Sequence, residues 1–155
     1  MDGVLTDGGI IYNDHGIETK IFNVKDGLGI RLLMEAGIKV GIITGRRSGA
    51  LTHRCNNLNI SLVFDGIKDK AAVLNSVLDM TGISAKEIAF VGDDLPDLSL
   101  MKIIGVSIAV ADAHETVRER ADMITSATGG AGAVREVCEL ILKAKGRWEE
   151  ILERF

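Results

Sequence analysis

An open α/β fold, a Rossmann-like parallel sheet with helices on both faces, is the class this sequence predicts. Two observations carry the prediction. Ile38–Ile43, Leu62–Phe64, Ile88–Val91 and Val106–Val110 are short, continuous apolar runs rich in Val and Ile, as expected of strands buried on both faces. Between them lie stretches with helical spacing. Leu51, Cys55 and Leu58 share one face, as do Leu74, Val77 and Leu78, and Val134, Val137, Cys138 and Ile141. Strands alternating with helices pack as a parallel sheet.

One segment interrupts the alternation. Ile10–Tyr12 and Lys20–Phe22 flank Asn13-Asp14-His15-Gly16 and predict a small β-hairpin insert, with His15 as a turn residue at its tip. The tail Lys145–Phe155, with Trp148 and Phe155, is expected either to extend the last helix or to dock on a neighbour. The 155 residues fit one domain, 1–155.

Composition excludes several classes of partner. A net charge of −4 gives no electrostatic reason to bind nucleic acid or an anionic membrane. No apolar run approaches the ~20 residues of a membrane span. Cys55 and Cys138 form no CxxC pair, so two reduced thiols in a cytoplasmic protein are expected rather than a metal or disulfide framework.

Ligands in open α/β sheets bind beyond the carboxyl ends of the strands, so the residues following each run matter most. Ile38–Ile43 is followed by Thr44-Gly45-Arg46, and Ile88–Val91 by Gly92-Asp93-Asp94, with Asp97 three residues on. Adjacent carboxylates repel and raise one another's pKa unless a cation intervenes. Hard oxygen ligands of this kind suit Mg²⁺. The same aspartates also suit helix capping, because a carboxylate before a helix satisfies free amides. Thr44 offers a hydroxyl, Gly45 a compact amide expected at a helix start, and Lys70 a point charge for a phosphoryl oxygen. Alone, Thr44 and Lys70 are weak signals. Together with the acidic group they supply what is needed to hold a phosphoryl group during transfer. A response-regulator receiver uses similar groups, but there the acidic pair precedes the lysine. Here Asp93-Asp94 follows Lys70.

In this order the motifs resemble those of the haloacid dehalogenase superfamily. Asp2-Gly3-Val4-Leu5-Thr6-Asp7-Gly8 matches the end of its first motif, Thr44 the second, Lys70 the third, and Gly92-Asp93-Asp94 with Asp97 the fourth. Asn23-Val24-Lys25-Asp26-Gly27, Ile43-Thr44-Gly45-Arg46, Val110-Ala111-Asp112-Ala113-His114 and the run from Gly132 to Leu140 narrow the resemblance to the 3-deoxy-D-manno-octulosonate 8-phosphate phosphatase family.

The resemblance implies Mg²⁺-dependent hydrolysis of a sugar-acid phosphate in lipopolysaccharide precursor synthesis. It implies Asp2 as general acid and base, Thr44 and Lys70 as phosphoryl-positioning groups, and the Asp2 main-chain carbonyl and Asp93 as metal ligands. Asp94 and Asp97 would support the metal site. Asp2, Asn23, Val24, Lys25, Asp26, Gly27, Arg31, Gly45, Arg46, Arg54 and Lys70 would line the substrate site. Arginines suit a substrate carrying both carboxylate and phosphate, although Arg31 and Arg54 read equally well as solvated helix residues. Arginine is usual in the family where Lys25 stands. The resemblance also implies a domain without a large cap domain and a homotetramer in which hairpins pack together.

Two alternatives remain open at this point: a nonulosonate 9-phosphate phosphatase, which Arg46 weakly disfavours, and a catalytically silent domain with a structural role. The second gains weight from the first motif. In the family it reads Asp-x-Asp, and here Asp2 is the second carboxylate. The nucleophile and the strand leading to it would stand immediately upstream of Met1, so the sequence as printed is expected to be a fragment, or to start at an internal Met, with little activity of its own.

Overall fold

The computed structural model describes residues 1–155. Met1 to Thr6 form a turn rather than a strand, since the Val4 and Leu5 amides both donate to the Met1 carbonyl. The hairpin follows: β1 (Ile11–Tyr12) and β2 (Glu18–Thr19) pair antiparallel, Ile11 opposite Thr19. Its second arm lies earlier than the expected Lys20–Phe22. Asn13 sets the tip: its side chain accepts from the His15 and Ile17 amides and its carbonyl from the Gly16 amide. Gly16 takes the left-handed φ of 71° that closes the turn.

Helix α1 (Val24–Glu35) begins where the Asn23 side chain accepts from the Lys25 amide. Strand β3 (Gly41–Ile43) is shorter than the run Ile38–Ile43, because the Gly37 turn returns the Ile38 amide to the Leu33 carbonyl. Helix α2 (Gly49–Leu58) ends on Asn59 in the left-handed conformation, and β4 (Leu62–Phe64) then pairs parallel with β3. A 3₁₀ turn over Lys70–Val73, capped by Asp69, feeds α3 (Leu74–Thr81).

Strands β5 (Ala89–Gly92), β6 (Val106–Ala109) and β7 (Met123–Ile124) form a second parallel sheet, with α4 (Leu98–Met101) and α5 (Glu115–Arg120) in its connections. Two exposed residues make no apolar run, so β7 leaves no signature in the sequence. Helix α6 (Ala133–Ala144) and helix α7 (Trp148–Leu152) complete the chain. The tail folds back on its own domain: Ile151 is buried in the core and Arg154 pairs with Glu35 at 2.8 Å.

The expected single sheet is therefore two pieces, β4-β3 and β5-β6-β7. The α/β class holds, but β3 and β5 do not pair with each other or with the turn at Met1–Thr6. The larger core lies under α1, α2, α6 and α7 and includes Ile30, Leu51, Leu58 and Leu142. A smaller cluster around Val110 and Val117 lies by the second sheet. Leu142 is wholly buried. Leu142→Ala is expected to lower unfolding free energy by about 2–5 kcal/mol, through lost transfer energy and the cavity left behind. Urea denaturation measures this, and a loss under ~1 kcal/mol would mean that the core relaxes around the gap.

Candidate active site

The carboxyl ends of β3 and β5 meet the same turn. From β5 the chain passes through Gly92 into Asp93, whose carboxylate lies directly against the Gly3 Cα. A β-carbon on Gly3 would collide with it, and Gly3 has a φ of 71°. From β3 the chain passes into Thr44, buried, whose hydroxyl accepts from the Arg46 amide at 3.3 Å. The Arg46 guanidinium reaches back to Asp2, with Nε 3.6 Å from Oδ2. The Gly45 amide makes no hydrogen bond within the chain. It is not at a helix start as expected. Ser48 precedes the first residue of α2, so Gly45 sits in the bend between β3 and α2, where its N–H has no partner in the chain.

Lys70 arrives from the 3₁₀ turn and is buried, with its ammonium on the Asp97 carboxylate and 5.8 Å from the centre of the Phe90 ring. The other oxygen of Asp97 accepts from the amides of Asp93 (2.8 Å) and Asp94 (3.2 Å). Asp94 caps the following turn by accepting from the Leu95 amide. The capping reading of the acidic group fits Asp94 and Asp97. Asp94 and Asp97 are structural acceptors that shape the loop.

Asp93 is left without a hydrogen bond to its carboxylate. Burial, and then the nearby Asp97, push its pKa up to about 6. A half-buried carboxylate with free lone pairs beside a second acid is a site for a hard cation. No three carboxylates or imidazoles converge here. Mg²⁺ commonly takes only one or two carboxylates with the rest of its shell from water and phosphate, so the donor set fits it.

A raised pKa favours the acid form in the folded chain. The contribution of Asp93 to stability is therefore full below pH ~4 and lost as pH rises through about 6. Mg²⁺ needs the ionised form. The rise in melting temperature on adding Mg²⁺ is expected to be small at pH 5 and to grow towards pH 7. Thermal denaturation at several pH values measures it, and an increment independent of pH would remove Asp93 from the metal site.

Two residues missed in the sequence organise Asp2. The Lys20 side chain, wholly buried, donates to Asp2 Oδ1 at 2.7 Å and lies 3.2 Å from Glu18. Burial acts to lower its pKa, but the hydrogen bonds to Asp2 and Glu18 outweigh that and raise it. Glu18 also takes Arg46 at 2.7 Å, and Tyr12 takes Arg46 at 3.1 Å. Glu18 and Lys20 stand two apart on the second arm of the hairpin. That spacing on one strand face was the available signal. Asp2 Oδ2 is buried and has no hydrogen bond.

The start of α1 joins this region only in part. The Asn23 side chain donates to the Gly130 carbonyl, and Gly130 donates to the Val4 carbonyl, which ties the helix start to the first-motif turn. Arg54 donates to the Asn23 carbonyl and lies against the Gly27 Cα. Asp26 is buried and accepts from the Arg135 amide at 2.8 Å, joining the starts of α1 and α6. It is thus a helix tie rather than an open ligand. Val24 and Lys25 are exposed, and Arg31 spends its guanidinium on the Asn57 carbonyl. No hydrogen bond or ion pair links the side chains of these three to Asp2, Thr44, Lys70 or Asp93.

An α/β domain with an acid, a hydroxyl, a lysine and an unpartnered carboxylate at one sheet rim is the layout of a phosphoryl-handling hydrolase. The profile of the haloacid dehalogenase-like hydrolases matches residues 63–137. The 3-deoxy-D-manno-octulosonate 8-phosphate phosphatase KdsC of Escherichia coli K12 is 45% identical over 150 residues, covering 97% of this chain and 80% of that protein. The crystal structure of this phosphatase from Moraxella catarrhalis, in complex with a magnesium ion, a phosphate ion and a KDO molecule, superposes with a TM-score of 0.97 at 46% identity. That match covers 100% of this chain and 89% of that one. The cobalt-bound Haemophilus influenzae phosphatase gives a TM-score of 0.92 at 41% identity, covering 96% and 86%. The chain belongs to the 3-deoxy-D-manno-octulosonate 8-phosphate phosphatase family of haloacid dehalogenase-like hydrolases.

Proposed function

We propose that this protein hydrolyses 3-deoxy-D-manno-octulosonate 8-phosphate to the free sugar acid and phosphate, with Mg²⁺ as cofactor. The observation that carries the reading is identity of 45% over 97% of the chain to a phosphatase named for that substrate, with Asp2, Thr44, Lys70 and Asp93 all present. Asp93 and the main-chain carbonyl of Asp2 hold the metal. Bound there, Mg²⁺ neutralises charge on the phosphoryl oxygens.

Thr44 Oγ1, the free Gly45 amide and the Lys70 ammonium take the phosphoryl oxygens. Asp97 holds the Lys70 ammonium in place. Asp2 gives a proton to the departing sugar oxygen and then takes one from the attacking water. Its Oδ2 makes no hydrogen bond, with the Arg46 Nε 3.6 Å away, while Lys20 fixes Oδ1. Asp2 stands at the second carboxylate of the family's Asp-x-Asp motif, and residues 1–155 supply the binding and proton-transfer groups. Arg46 and Arg54 meet the sugar carboxylate. Arg31, Val24 and Lys25 contact substrate only if a second subunit or a larger ligand reaches them.

Phosphate release from eight-carbon and nine-carbon sugar-acid phosphates tests the reading, measured with and without Mg²⁺ on the product of the whole reading frame. Preference for the eight-carbon ester is expected. Preference for the nine-carbon ester would assign a nonulosonate phosphatase, and no release from either would leave the silent-domain alternative.

The same proposal includes a homotetramer working in the cytoplasm on a lipopolysaccharide precursor. Its support is the hairpin, where Ile10, Ile11, Tyr12, Ile17 and Ile21 are all exposed and suited to packing against other hairpins. Both cysteines are free and buried, which fits a reducing compartment. No helix is long and apolar enough to cross a membrane. Sedimentation equilibrium tests the assembly.

A further inference from the structure

Lys20 belongs to none of the motifs that mark the site, yet it makes the one hydrogen bond of the Asp2 carboxylate, Nζ to Oδ1 at 2.7 Å. Its side chain is buried and its ammonium is shared with Glu18 at 3.2 Å. Glu18 is held in turn. Tyr12 stands opposite it in the hairpin register, and the two take the Arg46 guanidinium at 3.1 and 2.7 Å.

Stability does not account for this arrangement. Burying an ammonium between carboxylates costs about as much in lost hydration as the pairing returns, so an apolar side chain would hold the hairpin as well. A demand at Asp2 does account for it. Asp2 lies in a turn, outside any strand or helix. The last torsion of an aspartate is broad and twofold, so its two oxygens exchange places unless one is held. A general acid has to aim one protonated oxygen at the leaving atom. An ammonium only donates, so Oδ1 must accept, and a proton carried by Asp2 sits on Oδ2. Oδ2 is the oxygen that makes no hydrogen bond.

We propose that Lys20 is a positioning residue for proton transfer: it pins Oδ1 of Asp2 and so presents the transferable proton on Oδ2, with Glu18 keeping Lys20 in place. When the P–O bond to the sugar breaks, its electron pair stays on the sugar oxygen. The proton passes to that oxygen from Oδ2, and Asp2 is left as a carboxylate paired with Lys20. The proposal deepens the phosphatase reading and rests on Asp2 as its acid. Its consequence is selective. An alkyl phosphate, whose leaving alkoxide needs the proton, depends on Lys20. An aryl phosphate that releases a stable phenolate depends on it far less.

The test compares kcat/KM on the sugar-acid phosphate and on p-nitrophenyl phosphate, using the product of the whole reading frame with Mg²⁺. Lys20→Met is expected to lower the first by about 100-fold and the second by less than about tenfold. Lys20→Arg keeps the charge but moves the donors, so a smaller loss with the same bias is expected, and it serves where the neutral variant does not fold. Equal losses on the two esters overturn the proposal, because a merely structural role would not sense the leaving group. Full activity of Lys20→Met on the sugar ester overturns it as well. A starting protein that cleaves the aryl ester but not the sugar-acid phosphate sinks the substrate reading alone, and the comparison then uses whichever alkyl phosphate it does cleave. A starting protein that cleaves no ester sinks both.

Discussion

Asp93→Asn is expected to lower Mg²⁺-dependent phosphate release by roughly 10²–10³-fold, the equivalent of about 3–4 kcal/mol of lost charge stabilisation. The substitution keeps the volume, so the Gly3 contact survives. The His114 amide still donates to the Asp93 carbonyl at 2.8 Å, which holds the loop. What it removes is the one rim carboxylate with no hydrogen bond of its own. In the absence of metal, Asp93→Asn is expected to stabilise the chain at neutral pH, because it deletes a half-buried charge whose ionisation burial and Asp97 oppose. Activity and apo-stability should therefore move in opposite directions. Steady-state kinetics across Mg²⁺ concentrations, beside thermal denaturation in chelator, check both. An active variant with an unchanged Mg²⁺ requirement would place the metal elsewhere.

Asp97→Ala is expected to cost about 3–5 kcal/mol of stability, because it strands the buried Lys70 ammonium without its partner. That is a large share of the roughly 5–15 kcal/mol that holds a domain together. The change also removes the acceptor for the Asp93 and Asp94 amides, so the metal loop loosens together with the phosphate-binding lysine. Pairing it with Lys70→Met removes the stranded charge. The double variant should recover stability towards the starting chain and remain inactive. Urea denaturation of the three variants supplies the cycle. A double variant as unstable as Asp97→Ala would show that the loop amides, not the lysine, set the cost.

Much of the site was legible because strand ends concentrate chemistry. Thr44 and Asp93 follow apolar runs directly, and Lys70 follows an Asp that caps its turn. The helices were legible through spacing, as at Leu51, Cys55 and Leu58, all buried as read. Strand lengths were less so, since the end of β3 depends on how Gly37 closes α1, which no apolar count records. The Lys20–Asp2 pair was hidden because 18 positions separate its members and only the hairpin joins them. Arg31 shows the opposite difficulty: its family position matches, while what its guanidinium meets in the fold, the Asn57 carbonyl, cannot be read from the sequence.

The hairpin touches Asp2 through ions alone, Lys20 directly and Arg46 by way of Glu18 and Tyr12. Lys20 is wholly buried, so its pair with Asp2 is screened little by salt, whereas the partly exposed Arg46 arm is the side that added salt weakens. Ionic strength is therefore expected to loosen one side of Asp2 while the other side, and the packing under α1 and α6, stay in place.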